Sequence, residues 1–234
     1  MQNRTTVFVD GYNLYYGRLR GTSYKWLDLV NFSKQFLAQR AQGEVLTRVQ
    51  LCTAYAASKF ATHGRLSAES QGNYHRALKA MHGDQIEIIY GEHSWDKAGT
   101  EMPVFNESMP FDRAQLARVW KIEEKMTDVN LALSMYRECS KNLCDQLIVI
   151  SNDRDIAPAL EAIKADFPHI QRGVIFPLKP PTKTTVAQRR KSGTLEKIAD
   201  WNLPFIENEK LLAAQMPAKV PVAGKKTIFK PEYW

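Results

Sequence analysis

The chain has 234 residues, of which 44% are hydrophobic and 24% are charged. These values are typical of globular proteins, so they exclude global disorder and allow one large domain, with or without an appendage. Lys and Arg number 32 against 25 Asp and Glu, which gives a formal net charge of +7. Residues 179–234 contain eleven basic and five acidic residues, whereas residues 1–178 are almost neutral. A basic segment beside a neutral body indicates either a polyanionic partner such as nucleic acid or a solvated tail.

The composition predicts a soluble cytoplasmic protein without a membrane partner. No stretch approaches the roughly 18 apolar residues of a membrane span, and the first apolar run is shorter than the core of a signal peptide. The cysteines are Cys52, Cys139 and Cys144. Because this set is sparse and odd in number, we expect reduced, buried thiols in a reducing cytosol rather than a disulfide framework.

In chain order, predicted strands alternate with predicted helices. Apolar β-branched runs predict strands over residues 5–10, 45–55, 86–90, 147–150 and, as the last strand, 173–176. Helical spacing of apolar residues predicts helices over 26–40, 67–81, 121–139 and 156–165. The stretch 91–112 is predicted to be irregular and to form a lid over the site. This alternation predicts an α/β fold with three layers, α/β/α, around a mostly parallel central sheet.

Acidic residues follow the predicted strands at one edge of this sheet. Asp10 ends the first strand, and Asp153 and Asp155 directly follow the strand over 147–150. Asp128 precedes a stripe predicted to be buried, formed by Val129, Ala132, Leu133 and Tyr136. Carboxylates that converge at one edge repel each other unless a hard divalent cation neutralises them. The pattern therefore predicts a site for Mg²⁺ or Mn²⁺ with oxygen ligands.

Three segments resemble the motifs of NYN domains, the PIN-like group of ribonucleases. They are residues 7–17 (VFVDGYNLYYG), 124–132 (EKMTDVNLA) and 150–156 (ISNDRDI), and they occur in the family's order. The resemblance covers roughly residues 5–178. It implies a PIN-like, Rossmannoid fold over 1–178, with 179–234 as a basic C-terminal extension that packs on this domain or trails from it. We also expect the terminal aromatic residues, Tyr233 and Trp234, to dock on the body.

The resemblance further implies a divalent-metal-dependent ribonuclease that hydrolyses RNA phosphodiester bonds. The implied metal ligands are Asp10, Asp128 and Asp153. The implied catalytic residues are these three together with Asp155, as a fourth carboxylate, and Asn13, which would orient water or phosphate.

The sequence departs from the family pattern at two positions. Met126 stands where the family has Gly, and Arg154 stands between the last two acids, where the family has Ser. Arg154 contacts a phosphate in one interpretation, and in the other it pairs with an acid and weakens metal binding. The alternative function is therefore a catalytically weak or inactive PIN-like module that binds RNA or regulates. A phosphatase of the haloacid-dehalogenase type is disfavoured, because Tyr12 stands where that family has its second Asp.

The resemblance implies RNA, single-stranded or structured, as the partner, and binding RNA requires positive charge around the acidic site. The predicted substrate-binding residues are Arg154, Lys179, Arg189, Arg190 and Lys191. Further candidates are Arg18, Arg20, Lys25, Lys59, Arg65 and Lys183. Three tyrosines, Tyr12, Tyr15 and Tyr16, are candidates for stacking on unpaired bases. A homo-oligomer is compatible with the sequence.

Overall fold

The computed structural model describes residues 3–40, 43–109, 111–181 and 189–234. The strands are β1 (Asn3–Asp10), β2 (Glu44–Ala54), β3 (Ile86–Trp95), β4 (Thr100–Pro103), β5 (Leu116–Val119), β6 (Ile122–Lys125), β7 (Gln146–Ile150), β8 (Gln171–Ile175), β9 (Trp201–Leu203), β10 (Lys219–Val220) and β11 (Ile228–Phe229). The α-helices are α1 (Gly11–Leu14), α2 (Leu29–Arg40), α3 (Arg65–His82), α4 (Thr127–Ser140), α5 (Ala157–Asp166), α6 (Gly193–Ile198) and α7 (Asn208–Ala213). A π-helical turn spans Tyr15–Leu19, and 3₁₀ turns span Gly83–Gln85 and Arg154–Ile156.

The described residues form a seven-stranded central sheet in the order β6–β3–β2–β1–β7–β8–β9. Neighbouring strands run parallel except β6, which pairs antiparallel with β3. Side chains alternate across β1, so Val7 and Val9 join the apolar cluster formed with α2, α3 and α7, and Phe8 joins the cluster formed with α4, α5 and α6. The prediction of a three-layer fold around a mostly parallel sheet is therefore confirmed.

The strand order reverses beside β1. The chain adds β2 and β3 on one side of β1, and then β7, β8 and β9 on the other. In an open parallel sheet such a reversal leaves a crevice beyond the carboxyl ends of the two diverging strands. Asp10 ends β1, and Ser151 directly follows β7, so the crevice opens where two of the acidic motifs lie.

The segment around β6 differs from its prediction. Residues 122–125 form a strand rather than the start of a helix, because they extend the sheet on the far end of β3. Helix α4 begins at Thr127, which lies over Gly91 of β3 so closely that a Cβ atom at position 91 would overlap the Thr127 hydroxyl. The region 91–112 is likewise more regular than predicted: β3 continues to Trp95, and β4 pairs with β5 as a hairpin. Strands also follow β8.

The buried face of α4 is not the predicted stripe. Val129 and Leu133 are 60% and 55% exposed, whereas Leu131 and Met135 are fully buried. Because Thr127 contacts the sheet, the residues that share its face point inward, and the predicted stripe lies on the adjacent face. Asp128 therefore takes its position from Thr127 and Leu131.

The C-terminal segment contributes to the same fold. Strand β9 pairs with β8 at the edge of the sheet. Trp234 packs against Trp26 and Tyr74, with ring centroids 6.1 and 5.6 Å apart, which confirms that the terminal aromatic residues dock on the body. Buried Arg18 donates from Nε to the Ile206 carbonyl at 2.7 Å. The domain boundary at residue 178 stays a prediction.

The structure also bears on the predicted state of the cysteines and on the predicted lack of a membrane span. The cysteines, Cys52, Cys139 and Cys144, are buried and unpaired, as predicted. Within the described ranges, none of the helices combines the length and the apolar character that crossing a membrane requires.

Candidate active site

A cleft of about 200 Å³ opens at the carboxyl ends of β1 and β7. It is lined by Asp10, Tyr12, Asn13, Tyr16, Glu124, Thr127, Asp128, Asp153 and Arg189. Side chains from all three acidic motifs meet in this cleft, and Arg189 reaches it from the basic extension. The roles assigned to these residues stay predictions, because the geometry alone does not test them.

Asp10 is the most buried carboxylate of the cleft, at 3% exposure. Its Oδ1 caps α1 by accepting from the Asn13 N–H at 2.9 Å, and its Oδ2 accepts from the Ser151 hydroxyl at 2.8 Å. Burial, and to a smaller extent the charges of Asp128 and Asp153, raise the pKa of Asp10 from 3.8 to about 6. The two hydrogen bonds hold this carboxyl in a fixed orientation, while burial and the neighbouring carboxylates destabilise its charged form.

Asn13 and Asn152 connect the strand ends with the basic extension. The Asn13 side-chain oxygen accepts from the Asn152 N–H at 3.1 Å. The Asn152 amide donates to the Arg190 carbonyl at 3.0 Å and accepts from the Ser192 N–H at 2.7 Å. These bonds anchor the segment that begins at Arg189 to the loop after β7, and so they position Arg189 in the cleft.

Glu124 belongs to the cleft, although the sequence analysis did not assign it a role. It lies on β6 directly opposite His93 of β3. The Glu124 Oε1 atom and the Thr127 hydroxyl are both buried without a hydrogen-bond partner among the described residues. Burial first, and then the charges of Asp10 and Asp128, raise the pKa of Glu124 from 4.5 to about 7. Its place in the 124–132 motif was the available signal.

Asp128 and Asp153 line the cleft from different elements. Burial, followed by the negative charges of Asp153 and Asp155, raises the pKa of Asp128 above its usual value. Asp153 accepts from the Asp155 N–H at 3.1 Å and so caps the turn before α5. Its own N–H donates to the Ser151 hydroxyl at 3.0 Å, which ties it to the group that holds Asp10.

The donor set of the cleft suits a hard divalent cation. In the described ranges, no group of three or more His, Cys, Asp or Glu side chains is positioned to bind one metal ion. The cleft nevertheless offers carboxylates, an amide and a hydroxyl, which are the oxygen donors that Mg²⁺ and Mn²⁺ prefer. Glu124 and Thr127 each have a buried oxygen without a hydrogen-bond partner among the described residues, and burial raises the pKa of Asp10. A cation in the cleft would stabilise these oxygens and the charged form of Asp10. The residues therefore fit such a cation.

The other predicted catalytic and substrate-binding residues that the structure describes do not line the cleft. Asp155 and Arg154 are exposed on the turn before α5, and Lys179 is exposed after β8. Arg190 contributes its carbonyl to Asn152, and Lys191 forms an ion pair with Glu196. Lys183 lies outside the described residues.

Three comparisons relate the chain to known proteins. A 6-hydroxy-3-succinoylpyridine 3-monooxygenase, HspA of Pseudomonas putida (strain DSM 28022 / S16), is 36% identical over 99% of this chain and 75% of its own length. A crystal structure of a protein of unknown function from Vibrio parahaemolyticus RIMD 2210633 is 18% identical, with a TM-score of 0.47 over 86% of this chain and 92% of that one. The family description "NYN domain" matches residues 4–169. The chain belongs to the NYN domain family.

Proposed function

We propose that the chain is a divalent-metal-dependent ribonuclease. The observation that carries this proposal is the convergence of Asp10, Glu124, Asp128 and Asp153 with Arg189 in one cleft at the reversal of strand order. Acidic side chains suit a cation, and an arginine beside them suits the phosphate that the cation would engage. In this proposal residues 1–178 carry the chemistry, and the basic extension 179–234 holds the RNA.

Asp10, Asp128 and Asp153 would hold the cation, and Asp155 would support it from the rim. Bound there, Mg²⁺ or Mn²⁺ would lower the pKa of a water molecule and neutralise charge on the phosphate oxygens. The hydrogen bonds from Asn13 and Ser151 keep Asp10 fixed, so its carboxylate needs little reorganisation when it acts. The Arg189 guanidinium supplies donors for the phosphate oxygens.

Glu124 is the best candidate for the group that takes the proton from the attacking water. Its pKa of about 7 lies close to neutral pH, where a general base combines availability with driving force. The Thr127 hydroxyl lies beside this carboxylate and lowers its pKa, but burial outweighs that effect. A cation bound in the same cleft would lower this pKa, so Glu124 would be ionised at neutral pH and able to accept a proton.

Cleavage of a labelled single-stranded RNA tests the proposal. The wild-type chain should cut with Mn²⁺ and stop when a chelator is added, and Asp10→Asn and Asp153→Asn should lose cleavage while retaining the fold. Asp166→Asn is a matched control, because this carboxylate lies at the end of α5 and accepts from Tyr136, away from the cleft. Full activity of both cleft variants would refute the assignment. RNA binding without cleavage by the wild type would favour the inactive RNA-binding module.

The second candidate is a monooxygenase, and it is favoured by the identity with the Pseudomonas putida protein over nearly the whole chain. The substrate in that protein's name combines a pyridine ring with a carboxylate. In this chain, the Tyr16 ring and the Arg189 guanidinium would offer a stacking surface and a partner for such a molecule. Oxygen consumption that depends on 6-hydroxy-3-succinoylpyridine and on an added two-electron reductant, without RNA cleavage, would establish this candidate over the first.

A further inference from the structure

A row of aromatic rings leads away from the cleft along β3. It consists of Tyr16, Tyr12, His93, Trp95, Phe60 and Trp120, here called the aromatic row. Neighbouring centroids are 5.8 Å apart for Tyr16 and Tyr12, and 5.7 Å apart for Tyr12 and His93. Farther out, Phe60 lies 5.5 Å from Trp95 and 5.7 Å from Trp120. His93 and Trp95 join the two halves, because they are two residues apart on one strand and share a face.

The register between β3 and β6 fixes which side of the sheet carries this row. His93 lies opposite Glu124, and Trp95 lies opposite Ile122, so these four side chains share the face that opens into the cleft. On the other face of β6, Glu123 is bridged by Lys121 and Lys125 at 2.6 and 2.7 Å. The row is therefore continuous with the acidic site.

The aromatic row is exposed to solvent at its two ends. Tyr16 is 50% exposed at the cleft, and Trp120 is 52% exposed at the far end, whereas the rings between them are partly buried. A basic side chain lies over each exposed ring. The Arg20 guanidinium is 5.4 Å from the Tyr16 ring centroid, and the Lys59 ammonium is 4.0 Å from the Trp120 ring centroid. The inner rings hold the two outer ones at a set distance from each other.

We propose that the aromatic row is a stacking surface for the unpaired bases of single-stranded RNA and guides the strand into the cleft. The inference rests on the proposed function for its choice of nucleic acid. An exposed ring beside a cation matches the two chemical features of a nucleotide, a base with a π face and a phosphate. The bases of a duplex are already stacked on each other, so the row selects single strands. An RNA strand contacts Trp120, at the outer end of the row, only if it extends several nucleotides beyond the cleft.

The test measures binding of a fluorescent uridine decamer by anisotropy, in chelator so that no cleavage occurs. Trp120→Ala should weaken binding about 10-fold, the order expected for losing one base stack. Trp120→Leu keeps apolar bulk but removes the π face, and it should weaken binding nearly as much. Phe111→Ala is the matched control, because Phe111 is 74% exposed and lies 6.0 Å from the Arg113 guanidinium, yet it stands outside the row.

The outcomes separate this inference from the nuclease proposal. Selective loss in both Trp120 variants, for the decamer but not for a duplex of equal length, supports the row whether or not the RNA is cut. Equal affinity of wild type and Trp120→Ala for the decamer overturns the row, even if the chain is an active nuclease. Full affinity in Trp120→Leu overturns stacking in favour of simple apolar packing.

Discussion

Replacing Asp10 with Asn should make the metal-free chain less sensitive to pH. In the folded chain Asp10 loses its proton near pH 6, whereas an unfolded Asp does so near 3.8. Between these values the unfolded chain binds fewer protons than the folded one, so stability falls as pH rises through this window. Each tenfold step between the two acid constants is worth about 1.4 kcal/mol, so the full effect of this single group is about 3 kcal/mol.

Urea unfolding followed by circular dichroism, in chelator at pH 4 and pH 7.5, measures this effect. An unfolded Asp is already partly ionised at pH 4, so wild type should lose about 2–2.5 kcal/mol more than Asp10→Asn between the two pH values. The variant keeps an oxygen for the Asn13 N–H, and the Ser151 hydroxyl can turn to accept from the new amide, so the fold has no other reason to fail. Added Mn²⁺ should stabilise wild type at pH 7.5 more than the variant. Identical pH profiles for the two proteins would refute the reasoning.

Four further substitutions probe the supports of the site. Met126 adopts a left-handed backbone conformation at φ 72°, and its side chain is 46% exposed. Because Gly adopts this conformation without strain, Met126→Gly should raise the free energy of unfolding by about 0.5–1 kcal/mol. A decrease would contradict this prediction. Leu131→Ala should lower the free energy of unfolding by about 2–5 kcal/mol, whereas Leu133→Ala on the exposed face of α4 should lower it by under about 1 kcal/mol. Equal losses in urea unfolding would mean that the face of α4 with Leu131 is not the buried one. Asn152→Ala removes the bonds to the segment after Arg189, so KM for RNA should rise with little change in kcat; a loss confined to kcat would argue against anchoring.

The layered fold and the acidic edge could be predicted because their signals are local. Asp10 and Asp153 each directly follow an apolar strand, and the carboxyl ends of parallel strands share one edge of a sheet. Pro158 restricts the start of α5 to the residues just before it, and the helix begins at Ala157. Such features depend on a few neighbouring residues, which a sequence displays directly.

The remaining parts depend on contacts between distant residues. The face of α4 that is buried follows from the close approach of Thr127 to Gly91, and apolar spacing alone favoured the adjacent face with Leu133. Glu124 enters the cleft because β6 adds antiparallel to the end of β3, a pairing with no signal in the helical pattern expected there. The aromatic row likewise reaches Trp120 through Phe60, which lies far from it in the sequence.

Cleavage of a single-stranded RNA in ¹⁸O-labelled water is the measurement that tests the central claim most directly. If the cleft activates water with a divalent cation, each cut places one labelled oxygen on the new phosphate end, and the reaction needs added Mn²⁺ or Mg²⁺ and the Asp10 carboxylate. No cleavage in the presence of either metal, or cleavage that leaves the phosphate unlabelled, would contradict the account.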